Sequence, residues 1–164
     1  MLEGAELLKA VDGVANGQQS GGRWVGFARG GPMNILIVED EVLAATALEA
    51  TLREANHRVV GSVSSAREAL EIAASQPVDL ALVDINLDGR RNGVELAREL
   101  LVTCGVPALF LSGDGNKART GGDVAIAYLR KPYTEQEVLT AVEVAQGIIE
   151  SERRAAGQPG LELF

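Results

Sequence analysis

The sequence of 164 residues has a single cysteine, Cys104, no excess of basic residues and no long apolar run. One cysteine cannot form an internal disulfide or a cysteine-based zinc site, which favours a reducing compartment such as the cytoplasm. The formal net charge of −8 at pH 7 disfavours direct binding to nucleic-acid phosphates. No apolar run approaches the roughly 18–20 residues that cross a bilayer, and no signal peptide is recognisable. We therefore expect a cytoplasmic protein that contacts neither nucleic acid nor membranes.

The composition, 46% hydrophobic and 23% charged, indicates a folded globular domain. Residues 1–32 are rich in glycine and polar side chains, which predicts a flexible N-terminal leader. Residues 33–150 form the predicted domain. Residues 151–164 are charged and then contain glycine and proline, which predicts a C-terminal tail that is frayed or docked only by its last apolar side chains.

Within the predicted domain, short apolar runs alternate with amphipathic stretches. The runs predict strands at residues 34–38, 58–63, 79–83, 106–111 and 124–130. Helices are predicted at residues 42–55, 66–75, 93–104 and from residue 135 to about residue 150, two of them opened by capping boxes at Ser65–Glu68 and Thr134–Glu137. Nearly continuous apolar strands separated by helices predict an α/β protein whose parallel sheet is covered on both faces.

Polar side chains follow four of these strands. Glu39, Asp40 and Glu41 follow the first strand, Asp84 the third, Ser112 the fourth and Lys131 the fifth. Because parallel sheets of this kind collect their ligands at the carboxyl ends of the strands, we expect these four segments to form one site.

The chemistry of this set favours phosphoryl transfer at a magnesium ion. Carboxylates crowded into one crevice repel each other, and a hard divalent cation such as Mg²⁺ neutralises them. Asp40 and Asp84 would bind the ion with the backbone carbonyl of Asn86, while Lys131 and the Ser112 hydroxyl would bind phosphoryl oxygens. Asp84 remains as the nucleophile.

Four segments together resemble the receiver domain of two-component response regulators. They are ILIVEDE at residues 35–41, LALVDINLDG at 80–89, Ser112–Gly113, and Lys131–Pro132–Tyr133. The resemblance covers about residues 33–150. It implies the flavodoxin-like, doubly wound fold of chemotaxis receivers, with five parallel strands in the order 2-1-3-4-5.

The resemblance also implies a role for each matching residue. Asp84 corresponds to the phosphoacceptor, Asp40 to the metal-binding acid with Glu39 as its outer partner, and Asn86 to the residue whose backbone carbonyl binds Mg²⁺. Lys131 corresponds to the family's lysine, Ser112 to the hydroxyl that moves toward the phosphoryl group, and Tyr128 to the aromatic switch.

A protein of this family is a phosphoacceptor rather than an enzyme, with at most self-phosphorylation from small donors and self-dephosphorylation. The resemblance implies a histidine kinase or a histidine phosphotransfer protein as the donor. We expect a stand-alone receiver that signals to an unknown downstream protein through protein–protein contacts.

Residues 107–115 (PALFLSGDG) are similar to the strand-four signature PFxFATGYG of a receiver subgroup found mainly in alphaproteobacteria. The chain is shorter than the usual receiver between Ser112 and Tyr128, by about one helical turn. Four glycines in that segment each disfavour a helix by about 1 kcal/mol relative to alanine. We therefore predict a short or mobile fourth helix.

Two alternatives remain open from the residues. A phosphatase of the haloacid-dehalogenase type also phosphorylates an aspartate, but it needs a second aspartate at the position that Asn86 occupies. A receiver-like interaction module that is never phosphorylated could lose the acceptor or the lysine, and this chain retains both Asp84 and Lys131.

Overall fold

The computed structural model describes residues 31–87 and 92–157. The predicted leader, apart from residues 31 and 32, and the tail beyond residue 157 lie outside these residues. The strands are β1 (Asn34–Val38), β2 (Arg58–Val63), β3 (Leu80–Asp84), β4 (Ala108–Ser112) and β5 (Ala125–Arg130). The helices are α1 (Val42–Glu54), α2 (Ala66–Ser75), α3 (Gly93–Cys104), α4 (Gly115–Thr120) and α5 (Glu135–Ala156).

The five strands form one parallel sheet in the order β2-β1-β3-β4-β5, which confirms the predicted topology. β3 lies between β1 and β4, and all five of its residues are buried, as the apolar run LALV predicts. The first and second strands have the predicted bounds, whereas the third, fourth and fifth begin one or two residues later than predicted.

Side chains alternate between two apolar layers, because successive residues of a strand face opposite sides of the sheet. Leu36 and Val38 of β1 pack with the layer that α2, α3 and α4 cover. Ile35 and Ile37 pack with the layer that α1 and α5 cover. Helices thus cover both faces of the sheet, and the polar groups that end the strands lie at its edge.

The helix ends follow local hydrogen bonding. The Ser65 hydroxyl accepts from the Glu68 N–H at the start of α2, and the predicted capping box at Thr134 and Glu137 is complete at the start of α5. α4 has only six residues, so the predicted short fourth helix is confirmed.

The predicted end of the last helix is wrong. α5 continues past Glu150 to Ala156, so the first six residues assigned to the tail are helical. The Arg153 guanidinium lies 3.0 Å from Asp79 Oδ1, and this ion pair ties the added turns to the segment before β3. Within residues 31–87 and 92–157, the structure contains no helix with the length and hydropathy of a membrane span.

Candidate functional site

The predicted site residues meet at the carboxyl edge of the sheet. The parallel ladder holds them there: Lys131 N–H donates to the Ser112 carbonyl at 2.9 Å, and Ile85 N–H donates to the Leu111 carbonyl at 3.1 Å. Glu39 N–H likewise donates to the Val63 carbonyl at 3.0 Å. The ends of β1, β3, β4 and β5 therefore lie side by side, as the strand-end pattern indicates.

Lys131 connects two of the acids across the sheet. Its Nζ lies 3.0 Å from Asp84 Oδ2 and 2.9 Å from Glu39 Oε2. The two carboxylates are almost fully buried, whereas the lysine side chain is 27% exposed. Contacts of this kind are charge-assisted, and they hold both acids in one orientation.

The site raises the pKa of Lys131 and the pKa of Glu39. Burial alone would lower the pKa of Lys131, but the hydrogen bonds to Glu39 and Asp84 outweigh it and raise the pKa above its usual range. Burial raises the pKa of Glu39 more than the hydrogen bond from Lys131 lowers it, and the charge of Asp84 adds to the increase. Lys131 is therefore cationic at neutral pH, and the Glu39 carboxylate lies where additional positive charge is favourable.

Three carboxylates cluster closely enough to hold a cation. Glu39, Asp40 and Asp84 present oxygen atoms that all lie within 4.8 Å of one another. Carboxylate oxygens are hard donors that suit Mg²⁺, so this donor set fits the predicted ion. Both Glu39 oxygens have protein partners, because Oε1 accepts from the Glu41 N–H at 3.1 Å.

Asp84 is held at both of its oxygens. Oδ1 accepts from the backbone N–H of Asn86 at 2.9 Å, while Oδ2 contacts Lys131. The Asn86 side chain is exposed, and its Oδ1 accepts from Lys117 Nζ at 3.1 Å. The sequence interpretation missed Lys117, because no motif marks an exposed lysine on a short helix.

Ser112 is the last residue of β4, and Tyr128 lies in β5, the next strand of the sheet. The Ser112 hydroxyl is fully buried and bonds the backbone of Asp114 twice, donating to its carbonyl and accepting from its N–H, each at 3.0 Å. Tyr128 is also buried, and its hydroxyl lies next to Gly115, the first residue of α4. Both residues thus contact the segment that leads into α4.

Tyr133, named only as part of a motif in the sequence, lies beside the acids. Burial raises the pKa of its hydroxyl, and the negative charges of Glu39 and Asp84 add to this against the opposing charge of Lys131. The phenol therefore stays protonated at neutral pH. The run Lys131–Pro132–Tyr133 places this aromatic side chain immediately after the site lysine.

Comparison with known proteins agrees with this geometry. The sequence model of the family described as "Response regulator receiver domain" matches residues 35–143. The chain is 33% identical over 119 residues to the transcriptional regulatory protein PdtaR of Mycobacterium tuberculosis, covering 70% of this chain and 57% of PdtaR. It is 34% identical over 122 residues to the phyllosphere-induced regulator PhyR of Methylorubrum extorquens, covering 73% of this chain and 46% of PhyR.

The fold is also similar to solved structures. The signal receiver domain of a modulated diguanylate cyclase from Desulfovibrio desulfuricans G20 superposes with a TM-score of 0.68 at 33% identity, covering 74% of this chain and 98% of that one. The chain spans about half the length of the curated relatives it matches.

Proposed function

Because the chain belongs to the family of response regulator receiver domains, we propose that Asp84 accepts a phosphoryl group from a histidine kinase or a histidine phosphotransfer protein. An Asp84 oxygen forms a bond to phosphorus while the bond between phosphorus and the donor's histidine nitrogen breaks. Transfer from a small donor such as acetyl phosphate follows the same course, with acetate as the leaving group. Hydrolysis then restores the carboxylate.

The observation that carries this proposal is the contact of Lys131 with both Glu39 and Asp84, at 2.9 and 3.0 Å. An ammonium group beside the acceptor carboxylate can contact the phosphoryl oxygens as negative charge accumulates on them. The same contacts orient the Asp84 carboxylate before transfer. Folding has therefore already restricted its motion, and the transfer step does not lose that entropy again.

Asp40, Asp84 and the backbone carbonyl of Asn86 are proposed to hold Mg²⁺, with Glu39 as the outer partner. The clustered carboxylate oxygens support this assignment. When bound, the ion supplies positive charge for the phosphoryl oxygens. Ser112 and Tyr128 are proposed to respond to the phosphoryl group, since both contact the segment that leads into α4.

We propose that the phosphorylated protein signals through protein–protein contacts with a downstream partner rather than by binding nucleic acid itself. The net charge of −8 supports this choice, because an acidic surface repels phosphates. That the receiver acts as a stand-alone protein stays a prediction. Membership of the receiver subgroup whose strand-four signature resembles residues 107–115 also stays a prediction.

The test is phosphorylation by acetyl phosphate with Mg²⁺, followed by intact mass measurement. We expect the wild type to gain one phosphoryl group and Asp84→Asn to gain none. Asp123→Asn is the matched control, because it removes a carboxylate from an exposed ion pair with Arg98 on the surface of the domain. This control should be labelled as the wild type is.

The labelling must also depend on Lys131. Lys131→Met removes the ammonium but keeps most of the side chain, and we expect it to reduce the labelled fraction strongly. No labelling of the wild type, under conditions that label another receiver, would favour an interaction module that is not phosphorylated. Labelling of Asp84→Asn to the wild-type level would place the acceptor elsewhere.

A further inference from the structure

We propose that Lys117 is a positioning residue that prolongs the lifetime of the phosphoryl group on Asp84. It acts through Asn86, whose side chain it holds at the rim of the site. The inference rests on the proposed phosphorylation of Asp84 and adds to it a residue that controls the rate of hydrolysis.

Two consecutive contacts connect the acceptor to α4. The backbone N–H of Asn86 donates to Asp84 Oδ1 at 2.9 Å, and the Asn86 side-chain oxygen accepts from Lys117 Nζ at 3.1 Å. Asn86 is thus bonded through its backbone to the acceptor and through its side chain to a helix 31 residues further along the chain. A single exposed asparagine connects the acceptor to α4.

The position of Lys117 is set by its neighbours in α4. Ala118 is fully buried in the core, which orients the short helix against the sheet. At its start, the Asp114 side chain accepts from the Asn116 N–H at 2.9 Å, and the Ser112 hydroxyl bonds the Asp114 backbone. The end of β4 and the core therefore fix the helix, and Lys117 extends from it toward Asn86.

Phosphorylation would strengthen the role of this lysine. A phosphorylated side chain carries a charge of about −1.5 to −2, which attracts an ammonium group one side chain away. The Asn86 and Lys117 side chains then lie together at the rim of the acceptor, where they restrict the approach of water. In hydrolysis, water oxygen bonds to phosphorus, the bond from phosphorus to the Asp84 oxygen breaks, and inorganic phosphate leaves.

The test measures the lifetime of the phosphoryl group. Wild type and variants are labelled with acetyl phosphate and Mg²⁺, the donor is removed by desalting, and intact mass is followed with time. Lys117→Met keeps the aliphatic chain and removes the charge, and we expect it to lose the phosphoryl group at least about threefold faster, a change of about 0.65 kcal/mol in the barrier. Lys117→Arg should restore a lifetime close to that of the wild type.

Two further variants separate positioning from a general effect of charge. Arg119→Met removes an exposed cation from the same helix, and we expect it to leave the lifetime unchanged. In an Asn86→Ala background, Lys117→Met should have little additional effect, because the contact through which it acts is already lost. Urea unfolding of each variant, expected to match the wild type, shows that a change in lifetime is not a change in folding.

The possible failures are distinct. A wild-type protein that takes up no phosphoryl group overturns the proposed function and this inference with it. Labelled wild type and Lys117→Met with equal lifetimes overturn the inference alone. An equal acceleration by Arg119→Met, or the full Lys117→Met effect in the absence of Asn86, also overturns it.

Discussion

Gly93 packs directly against the backbone of Asp84, so that a side chain at position 93 would overlap the Asp84 carbonyl oxygen. A Cβ atom there would also lie 2.7 Å from Ile85 Cα. The backbone N–H of Gly93 donates to the Ile85 carbonyl at 3.0 Å, which ties the start of α3 to the residue before Asn86. The start of α3 therefore packs against the backbone of the acceptor Asp84, and only glycine fits at position 93.

We predict that Gly93→Ala destabilises the domain and lowers phosphorylation of Asp84. The added methyl group meets only backbone atoms, which cannot rotate away, so the end of β3 must move. Overpacking of this kind costs about 1–3 kcal/mol. Urea unfolding measures the loss, and acetyl phosphate labelling measures the effect on the site.

Gly147→Ala is the matched control for this substitution. Gly147 lies exposed in α5, and a Cβ atom there meets nothing within 4 Å. The same change should therefore stabilise the protein, by about 0.5–1 kcal/mol, through the lower entropy of the unfolded chain. If both variants shift the unfolding midpoint in the same direction, the packing account of Gly93 is wrong.

We predict that Mg²⁺ stabilises the folded protein through Asp40 and Asp84. A ligand that binds only the folded state adds about 1 kcal/mol when its concentration is five times its Kd. The midpoint of urea unfolding should rise with Mg²⁺ concentration in the wild type and in Asp123→Asn. It should not rise in Asp84→Asn or Asp40→Asn, since each removes one of the clustered carboxylates.

Removal of the ion provides the reverse measurement. Adding a chelator to the wild type should return the unfolding midpoint to its metal-free value. A Mg²⁺ effect that persists in full in both aspartate variants would mean that the ion binds elsewhere on the protein.

We predict that Gly115 and Tyr128 are energetically coupled. A Cβ atom at position 115 would lie 3.1 Å from the Tyr128 hydroxyl oxygen, closer than ordinary van der Waals contact. Gly115→Ala should crowd that hydroxyl in the wild type but not in Tyr128→Phe, where the hydroxyl is absent. A double-mutant cycle in urea should give a coupling energy of about 1 kcal/mol.

The sign of this coupling is specific. Alanine should be less favourable at position 115 when the tyrosine is present, and neutral or stabilising when phenylalanine replaces it. Additive effects of the two substitutions would show that the Tyr128 hydroxyl does not lie against Gly115. The cycle thus tests the contact between Tyr128 and α4 on which a switch role of Tyr128 would depend.

The parts of the site that lie within strand ends could be predicted from the sequence. An apolar run ending in an acid is a local pattern, and parallel strands bring their carboxyl ends together, so the meeting of Glu39, Asp84 and Lys131 follows from topology. The bounds of α3 were equally predictable, because Gly93–Cys104 carries a continuous helical stripe of apolar side chains.

The rest depends on contacts that the pattern of apolar side chains does not record. The Lys117–Asn86 hydrogen bond and the packing of Gly93 on Asp84 each join two different elements of the fold, and no local pattern records them. The last turns of α5 lack an apolar stripe, so a prediction from apolar periodicity places the end of the helix too early. Good helix formers, the pairing of Arg154 with Glu150 and the ion pair from Arg153 to Asp79 extend them.

We predict that the stability of the fold falls as the pH decreases below about 6.5, through His57. Its Nδ1 accepts from the backbone N–H of Met33 at 3.1 Å, and only the neutral imidazole offers that acceptor. Burial lowers the pKa of His57 from its usual 6.5, while the charge of Glu143 opposes the decrease. The unfolded chain therefore binds the proton more tightly than the folded one, and acidification from pH 6.5 toward the folded pKa favours unfolding.

His57 is the only histidine in the chain, so its imidazole resonances can be assigned without ambiguity and titrated by NMR. We expect a midpoint below 6.5 in the folded protein and near 6.5 in urea. His57→Gln retains an acceptor but does not titrate, so the difference in unfolding free energy between wild type and variant should change between pH 7.5 and pH 5. Carboxylates titrate in both proteins and cancel from that difference. A difference that stays constant over this range would contradict the assignment, because it would mean that His57 binds protons equally in both states.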